Sequence, residues 1–390
     1  MRLNGYLYNL KLRTSYGVVG NAEIGDFATL ARLTTSLTTF NKQPVTGVTL
    51  GALANQDLSW ESSEQFDIGI ELGLFNGRAD IIVDFYNKVN SDLLYFKRLP
   101  STTGFTGVMD NIGDIQNRGV EIGIQTINIL TDKFRWNTGL NFTRNVNEVL
   151  NLNGDIMYPW SGRIMEGRPL NEFFGFKRLG VWSLNEVDEA ATYGKLPGDV
   201  KWQDTNNNGV KDLDDRVVLG NGMPKFEANM VNTFTYGGFS LLVDLQSMYG
   251  LSLAQTTRHL QQNAAVRVNS YTVILDAWTP TNQNTQIPAL RTPNDHPSPS
   301  EVADSYAIED ASFLRVRNIG LTYRFMPSWL NSFHLTNLSL GLNVENAFLF
   351  TKYSGMDPEY TSLGSQLDQG VDIYQYPKPR TISINLNVNF

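Results

Sequence analysis

A chain of 390 residues with no cysteine can form no disulfide, thiolate nucleophile or zinc-thiolate site. Its formal charge of −8, its pI near 5.0 and its scattered Lys and Arg exclude a nucleic-acid partner, because phosphate recognition needs clustered basic residues. No window approaches 18 consecutive apolar residues, so helical membrane spans are excluded. The mean hydropathy of −0.24 still allows a membrane barrel, whose wall strands alternate lipid-facing and lumen-facing residues and dilute the signal.

Met1 to Tyr8 shows neither a basic start with an apolar run nor a small-residue cleavage site, and the expectation is that Met1 is not the native start. From there the dominant signal is period two in segments of roughly ten residues, the strand period. In chain order, strands are expected at 8–18, 64–75, 78–90, 117–130, 133–146, 226–236, 239–250, 312–326, 336–348 and 380–390. The alternation is clearest at the end, where Ile382, Ile384, Leu386, Val388 and Phe390 oppose Ser383, Asn385, Asn387 and Asn389. It recurs in Leu338, Leu340, Leu342 and Val344, and in Phe239, Leu241, Val243 and Leu245, with Leu242 breaking the pattern.

Asn76-Gly77 and Gly237-Gly238 are tight hairpin signals, and Thr131-Asp132-Lys133 closes a third pair. The connections at roughly 89–116, 146–225, 251–311 and 349–379 are long and rich in Asn, Gly, Thr and Pro, unusual in a compact soluble domain. Counting strand direction back from Phe390 puts every short turn on one side, the periplasmic side of an outer-membrane barrel, and every long loop outside. By that parity Phe173 to Trp182 is not a wall strand. Aromatics near strand ends (Trp136, Tyr236, Phe239, Phe325, Phe348) fit the same architecture. The fold class is therefore all-β, an antiparallel transmembrane β-barrel with long extracellular loops. The competing readings are a stand-alone small barrel, which must close on its own strands, and a secreted carbohydrate-binding or adhesive β-sandwich, which must bury its apolar face.

One set of segments runs along the chain as Asn55-Gln56-Asp57-Leu58-Ser59-Trp60-Glu61 followed by Ile68 to Asn76, and then Ser101 to Phe105. Asn111-Ile112-Gly113 with Asn117-Arg118-Gly119-Val120-Glu121, Phe313 to Asn318, Lys352 to Glu359 and Tyr376-Pro377-Lys378-Pro379-Arg380 complete it. In this order the segments resemble SusC/RagA-like TonB-dependent outer-membrane transporters, with Gln56 where the family usually has Pro. The resemblance implies about ten C-terminal strands of a larger barrel of about 22 strands. The plug domain and signal peptide would be absent, and residues 1–390 would be one part of that barrel. It further implies import of glycans, oligosaccharides or peptides across the bacterial outer membrane. The implied partners are a SusD-like surface lipoprotein, the TonB complex through the absent plug, the barrel-assembly machinery and outer-membrane lipid.

One segment has metal-ligand spacing. In Asp204 to Asp215, the residues Asp204, Asn206, Asn208, Val210 (through its carbonyl), Asp212 and Asp215 occupy positions 1, 3, 5, 7, 9 and 12 of an EF-hand-type Ca²⁺ loop, with Gly209 at the sharp sixth position. Asn208 stands where Asp is more usual and Asp215 replaces Glu, which predicts weak Ca²⁺ binding; the plain alternative is an ion-free Asn/Asp/Gly turn. Phe390 resembles the terminal signal of barrel assembly. No enzyme is expected: His259, His296 and His334 share no motif, and Asp214-Asp215 and Glu309-Asp310 read as loop charges. Loop aromatics Tyr158, Trp160, Trp182, Trp202, Tyr271 and Trp278 would either stack on sugars or pack in an interface.

Overall fold

The computed structural model describes residues 6–22, 27–152, 162–261, 269–291, 304–330, 334–359, 367 and 369–390. Ten strands join in chain order into one sheet: β1 (Leu7–Asn21), β2 (Glu61–Leu74), β3 (Ala79–Ser91), β4 (Asp114–Leu130), β5 (Phe134–Asn151), β6 (Phe226–Tyr236), β7 (Phe239–Tyr249), β8 (Phe313–Arg324), β9 (Asn337–Thr351) and β10 (Thr381–Asn389). Every pairing between neighbours is antiparallel, the up-and-down order of a barrel wall. All ten expected strands are present. β4 and β5 run to 17 and 18 residues, beyond the expected 117–130 and 133–146. Their extra pairs lie at the long-loop end, where Asn117 faces Asn147, Gln116 faces Glu148 and Asp114 faces Asn151, with Ile115 against Val149 as the apolar pair among them. Asn147 also donates to Asn117 Oδ1 at 3.0 Å, and mostly polar pairs there interrupt the apolar alternation that marks the strands in the sequence.

The register aligns apolar residues from strand to strand on one face. Ile384 faces Leu342, which faces Leu321, then Leu241, Phe234 and Trp136 in succession. At the other end of the sheet the row is Leu10, Leu72, Ile81, Ile124, Leu140 and Met230. The opposite face carries Arg13, Asp84, Glu121 and Thr143 in one such row, and Ser383 with Asn343 in another. Period two thus sorts the residues into two solvents. The apolar face is bare: Ile384 is 74% exposed and Ile382 66%. A sandwich would bury this face under a second sheet, and among the described residues none does so.

The buried core lies elsewhere. Ile112, Val149, Leu152 and Ile164 form one cluster, Leu251, Leu253, Ala311 and Tyr353 a second, and Phe173, Ala254 and Val371 a third. All three are built from the long connections and the strand ends that feed them. There, small sheets fold on one another: Gly162–Arg163, Glu172–Gly175 and Val217–Asn221 pair in one, and Arg178–Val181 with Val200–Trp202 in another. Residues 173–182 are thus split between two small sheets outside the wall, as the parity argument required.

The short turns sit together at the opposite end. Gly237, at φ 56°, leads a two-residue turn closed by the Tyr236 to Phe239 pair, a position where left-handed backbone favours glycine. The Asn76-Gly77 turn is wider than the sequence suggests: Phe75, Asn76 and Gly77 are all left-handed, and the closing pair is Leu74 to Ala79.

The sheet does not close on itself. β1 pairs only with β2, and β10 only with β9, among the described residues. A stand-alone small barrel needs those two edges joined, since lipid cannot satisfy unpaired backbone groups.

Candidate functional site

The predicted metal loop folds tightly. Asn207 and Gly209 are left-handed, with φ 58° and 79°, and they wrap Asp204, Asn206 and Asn208 around one turn. The Asn208 N–H donates to Asp204 Oδ1 at 3.2 Å and to Asn206 Oδ1 at 3.1 Å, and Gly209 N–H donates to Asp204 Oδ2 at 2.8 Å. Asn208 Oδ1 accepts from Val210 N–H at 2.8 Å, and Asn208 Nδ2 donates to Asp212 Oδ2 at 2.8 Å. Asp215 is buried and accepts from the N–H groups of Thr205 at 2.7 Å and Asp212 at 3.0 Å.

The structure therefore brings the six predicted positions into one loop. Their donors are all oxygen, the type a hard cation takes. Backbone amides already engage the carboxylates, and among the described residues no three His, Cys, Asp or Glu side chains converge. Burial would raise the Asp204 carboxyl, but donation from Gly209, the Tyr193 hydroxyl and Asn208 holds it below the usual carboxylate range.

The segments that carry the family resemblance meet one another. Asn111 Nδ2 donates to Ser59 O at 3.0 Å and to Asp92 O at 2.7 Å, and its Oδ1 accepts from Ser59 N–H at 2.8 Å. Asn55 Nδ2 donates back to Met109 O at 2.9 Å. The segments 55–61 and 107–113 thus clamp each other.

The larger convergence is ionic. Arg315 on β8, 5% exposed at its side chain, pairs with Asp357, 3% exposed, at 2.7 Å. Its Nε lies 3.6 Å from Glu359, and its Nη1 donates to Asn346 Oδ1 at 2.8 Å. Lys378 reaches Glu359 at 2.9 Å, and Gln246 Nε2 donates to the same carboxylate at 2.8 Å. Burial pushes the Glu359 carboxyl up, but hydrogen bonds from Lys378 and Gln246 and the charges of Lys378 and Arg315 outweigh it and leave the group below its ordinary value. Three motifs separated in sequence thus pin the last long connection to the wall.

Further ion pairs, wholly or partly buried, brace the loops. Arg178 meets fully buried Asp304, and Arg168 meets Glu172. Glu186 is drawn down to about 2 by the Lys201 ammonium at 2.7 Å and by Ser183, whose N–H and hydroxyl both donate to it. None of these was legible in the sequence, because burial is set by which distant loops meet. The one available signal was that the motifs at 313–318, 352–359 and 376–380 carry complementary charges.

Of the loop aromatics, Trp182 and Trp278 are buried. Trp182 packs on Tyr193, and Trp202 on Phe176. Lys201 sits 4.1 Å over the Trp182 ring, and Lys211 4.0 Å over that of Phe176. These are loop-core residues rather than open platforms. Tyr271 is exposed. Tyr158, Trp160, His296 and the His259 side chain lie outside the described residues.

The carboxylate pairs are structural. Glu309 engages Arg258 and the Ser354 hydroxyl, and Asp310 Oδ1 accepts from Ser312 N–H at 2.9 Å. Phe390 is 90% exposed just beyond β10, while Asn389 O accepts from Thr336 N–H at 2.8 Å.

This arrangement matches known proteins at every level. Residues 5–347 match the family model described as TonB dependent receptor-like, beta-barrel. TonB-dependent receptor P39 of Formosa agariphila is 32% identical over all of this chain and 41% of its own length, and P26 of the same organism is 31% identical over 98% of this chain and 40% of its own. TonB-dependent receptor SusC of Bacteroides thetaiotaomicron is 26% identical over 98% of this chain and 38% of its own length. Among solved structures, the RagAB peptide transporter superposes with a TM-score of 0.83 at 26% identity, covering all of this chain and 42% of the matched chain. The chain thus spans about 40% of the length of the curated relatives it matches. These relatives are receptors and transporters, not enzymes. With its matched family model, its wall and its loops in agreement, the chain belongs to the TonB-dependent receptor-like β-barrel family of the outer membrane.

Proposed function

We propose that this chain is part of the wall and much of the extracellular loop surface of a TonB-driven importer that takes up oligosaccharides or peptides. The observation that carries the reading is the open ten-stranded sheet, apolar on one face and polar on the other, with both edge strands lacking a second partner among the described residues. Such a sheet is stable in lipid only when further strands complete it. The polar face then lines a lumen that a plug fills, and a surface lipoprotein of the SusD type closes over the long loops. The barrel-assembly machinery reads the terminal strand with Phe390, and the 204–215 loop takes Ca²⁺ as a brace for the extracellular surface.

The test is uptake by cells carrying the full-length receptor. Accumulation of an oligosaccharide or oligopeptide that stops when TonB is deleted, or when the lipoprotein encoded with the receptor is removed, supports the reading. Accumulation that persists without TonB overturns it.

A further inference from the structure

Between two of the long loops lies a cleft of about 640 Å³, within the size range of small-ligand sites. It is bounded by the segments at 255–258, 271–273, 354–356 and 372–375. Neither of its charged side chains is free. Arg258 is held by Glu309 and lies 4.2 Å over the Tyr306 ring, and Asp372 accepts the Tyr353 hydroxyl. What remains open is aromatic, thioether and hydroxyl surface: Tyr271 is 42% exposed, Met356 59% and Tyr374 61%.

Tyr374 is the unusual member. Its backbone is left-handed, at φ 52°, a costly setting for a bulky residue, and Thr257 Oγ1 fixes it by accepting the Tyr374 N–H at 2.7 Å. The fold thus spends strain to present a ring to the cleft rather than to bury it. Gln375 beside it has both carboxamide atoms out of contact with water and without a hydrogen-bond partner among the described residues, a group still owed a donor and an acceptor.

We infer that this cleft is a binding subsite for a neutral glycosyl unit, with the strained, exposed Tyr374 as its stacking platform. A sugar ring offers an apolar face to a tyrosine and hydroxyls that both donate and accept. It brings no charge into a cleft whose own charges are engaged. An oligopeptide or an acidic saccharide would bring charge with no free counterpart there. The inference rests on the import reading above and narrows its substrate class.

The experiment uses cells expressing the full-length receptor, with labelled maltohexaose, cellohexaose, a mannohexaose and a xylohexaose as neutral probes, a hexagalacturonate as acidic probe and a mixed hexapeptide pool. Uptake is measured for the native receptor, Tyr374→Ala and Tyr374→Phe, with heat-modifiable migration of each variant as the folding control. The expected result is TonB-dependent uptake of at least one neutral hexasaccharide, with the half-saturation concentration raised roughly three- to tenfold in Tyr374→Ala and restored in Tyr374→Phe. Neutral-saccharide uptake that Tyr374→Ala leaves unchanged overturns the inference. So does TonB-dependent uptake confined to hexagalacturonate or peptides. Both of those outcomes leave the importer reading standing, whereas uptake of a probe without TonB removes that reading itself.

Discussion

Replacing Arg315 by Met removes the centre of a buried ionic cluster. Arg315 and Asp357 are 5% and 3% exposed at their side chains and 2.7 Å apart, so neither carboxylate nor guanidinium can recover water when its partner goes. Breaking a buried pair from one side costs about 3–5 kcal/mol, mostly as the penalty of a stranded charge. Here the stranded group is Asp357, and the nearest remaining cation is Lys378 at 3.9 Å, which also serves Glu359 at 2.9 Å and is 39% exposed. That partial rescue places the cost near the lower bound, at about 3 kcal/mol.

The cost falls on the last loop rather than on the wall, because β8 and β9 remain held by their ladder on both sides of the bulge between Val316 and Asn318. Amide hydrogen exchange on the full-length receptor reads it directly. Residues 353–359 and 369–380 should open on the order of 100-fold more often, while β8 and β9 keep their protection. Asp357→Asn should act on the same amides, and the Arg315→Met, Asp357→Asn double variant should lose less than the two single variants combined. Exchange in that loop within threefold of the native receptor, or strictly additive losses, would refute the argument that the cluster anchors the loop.

Three further outcomes follow. Glu186 is depressed to about 2, below the usual glutamate value of roughly 4.3, so its contribution is complete above that ordinary value and lost as pH falls through the folded one. Exchange protection around Ser183 to Tyr193 should therefore decline between about pH 4 and pH 2, and Glu186→Gln should flatten that dependence. Calcium added to the EGTA-treated receptor should slow exchange across 204–215, and Asp204→Ala combined with Asp212→Ala should abolish the response; a native receptor that does not respond at millimolar Ca²⁺ would show the loop to be an ion-free turn. Phe390→Ser should lower the amount of heat-modifiable receptor in the outer membrane several-fold while leaving its synthesis unchanged, measured by blotting membrane fractions, and unchanged amounts would remove Phe390 from the assembly signal.

The wall was legible almost strand by strand because its physics is local. A residue two positions along a strand meets the same solvent, so Ile382, Ile384, Leu386 and Val388 declare one face without knowledge of any partner. The turn chemistry is equally local: Gly237-Gly238 specifies its hairpin from two residues. Where the reading fell short, the cause was that the local rule stopped applying. β5 continues past 146 on Asn147 and Glu148, which pair with Asn117 and Arg118 rather than with lipid, so no hydropathy pattern marks its end. The turn at Phe75 to Gly77 takes three left-handed residues rather than two, a difference that alternation of the flanking strands does not encode.

The loops obey the opposite logic. Asp304 is fully buried because Arg178, more than a hundred residues earlier, arrives beside it, and Glu359 stays ionised because Lys378 and Arg315 converge on it from separate segments. Neither partner announces burial by its neighbours in sequence, and composition alone reads such residues as solvated loop charges. An outer-membrane wall inverts the usual arrangement: its largest apolar surface faces outward, and the conventional core moves into the connections. In such a chain the charges that matter most are those that a soluble-protein reading would discount first. Candidate anchoring and ligand sites are therefore to be sought where long loops bury complementary charge, as at Arg315, or hold a side chain in a conformation it would not choose, as at Tyr374.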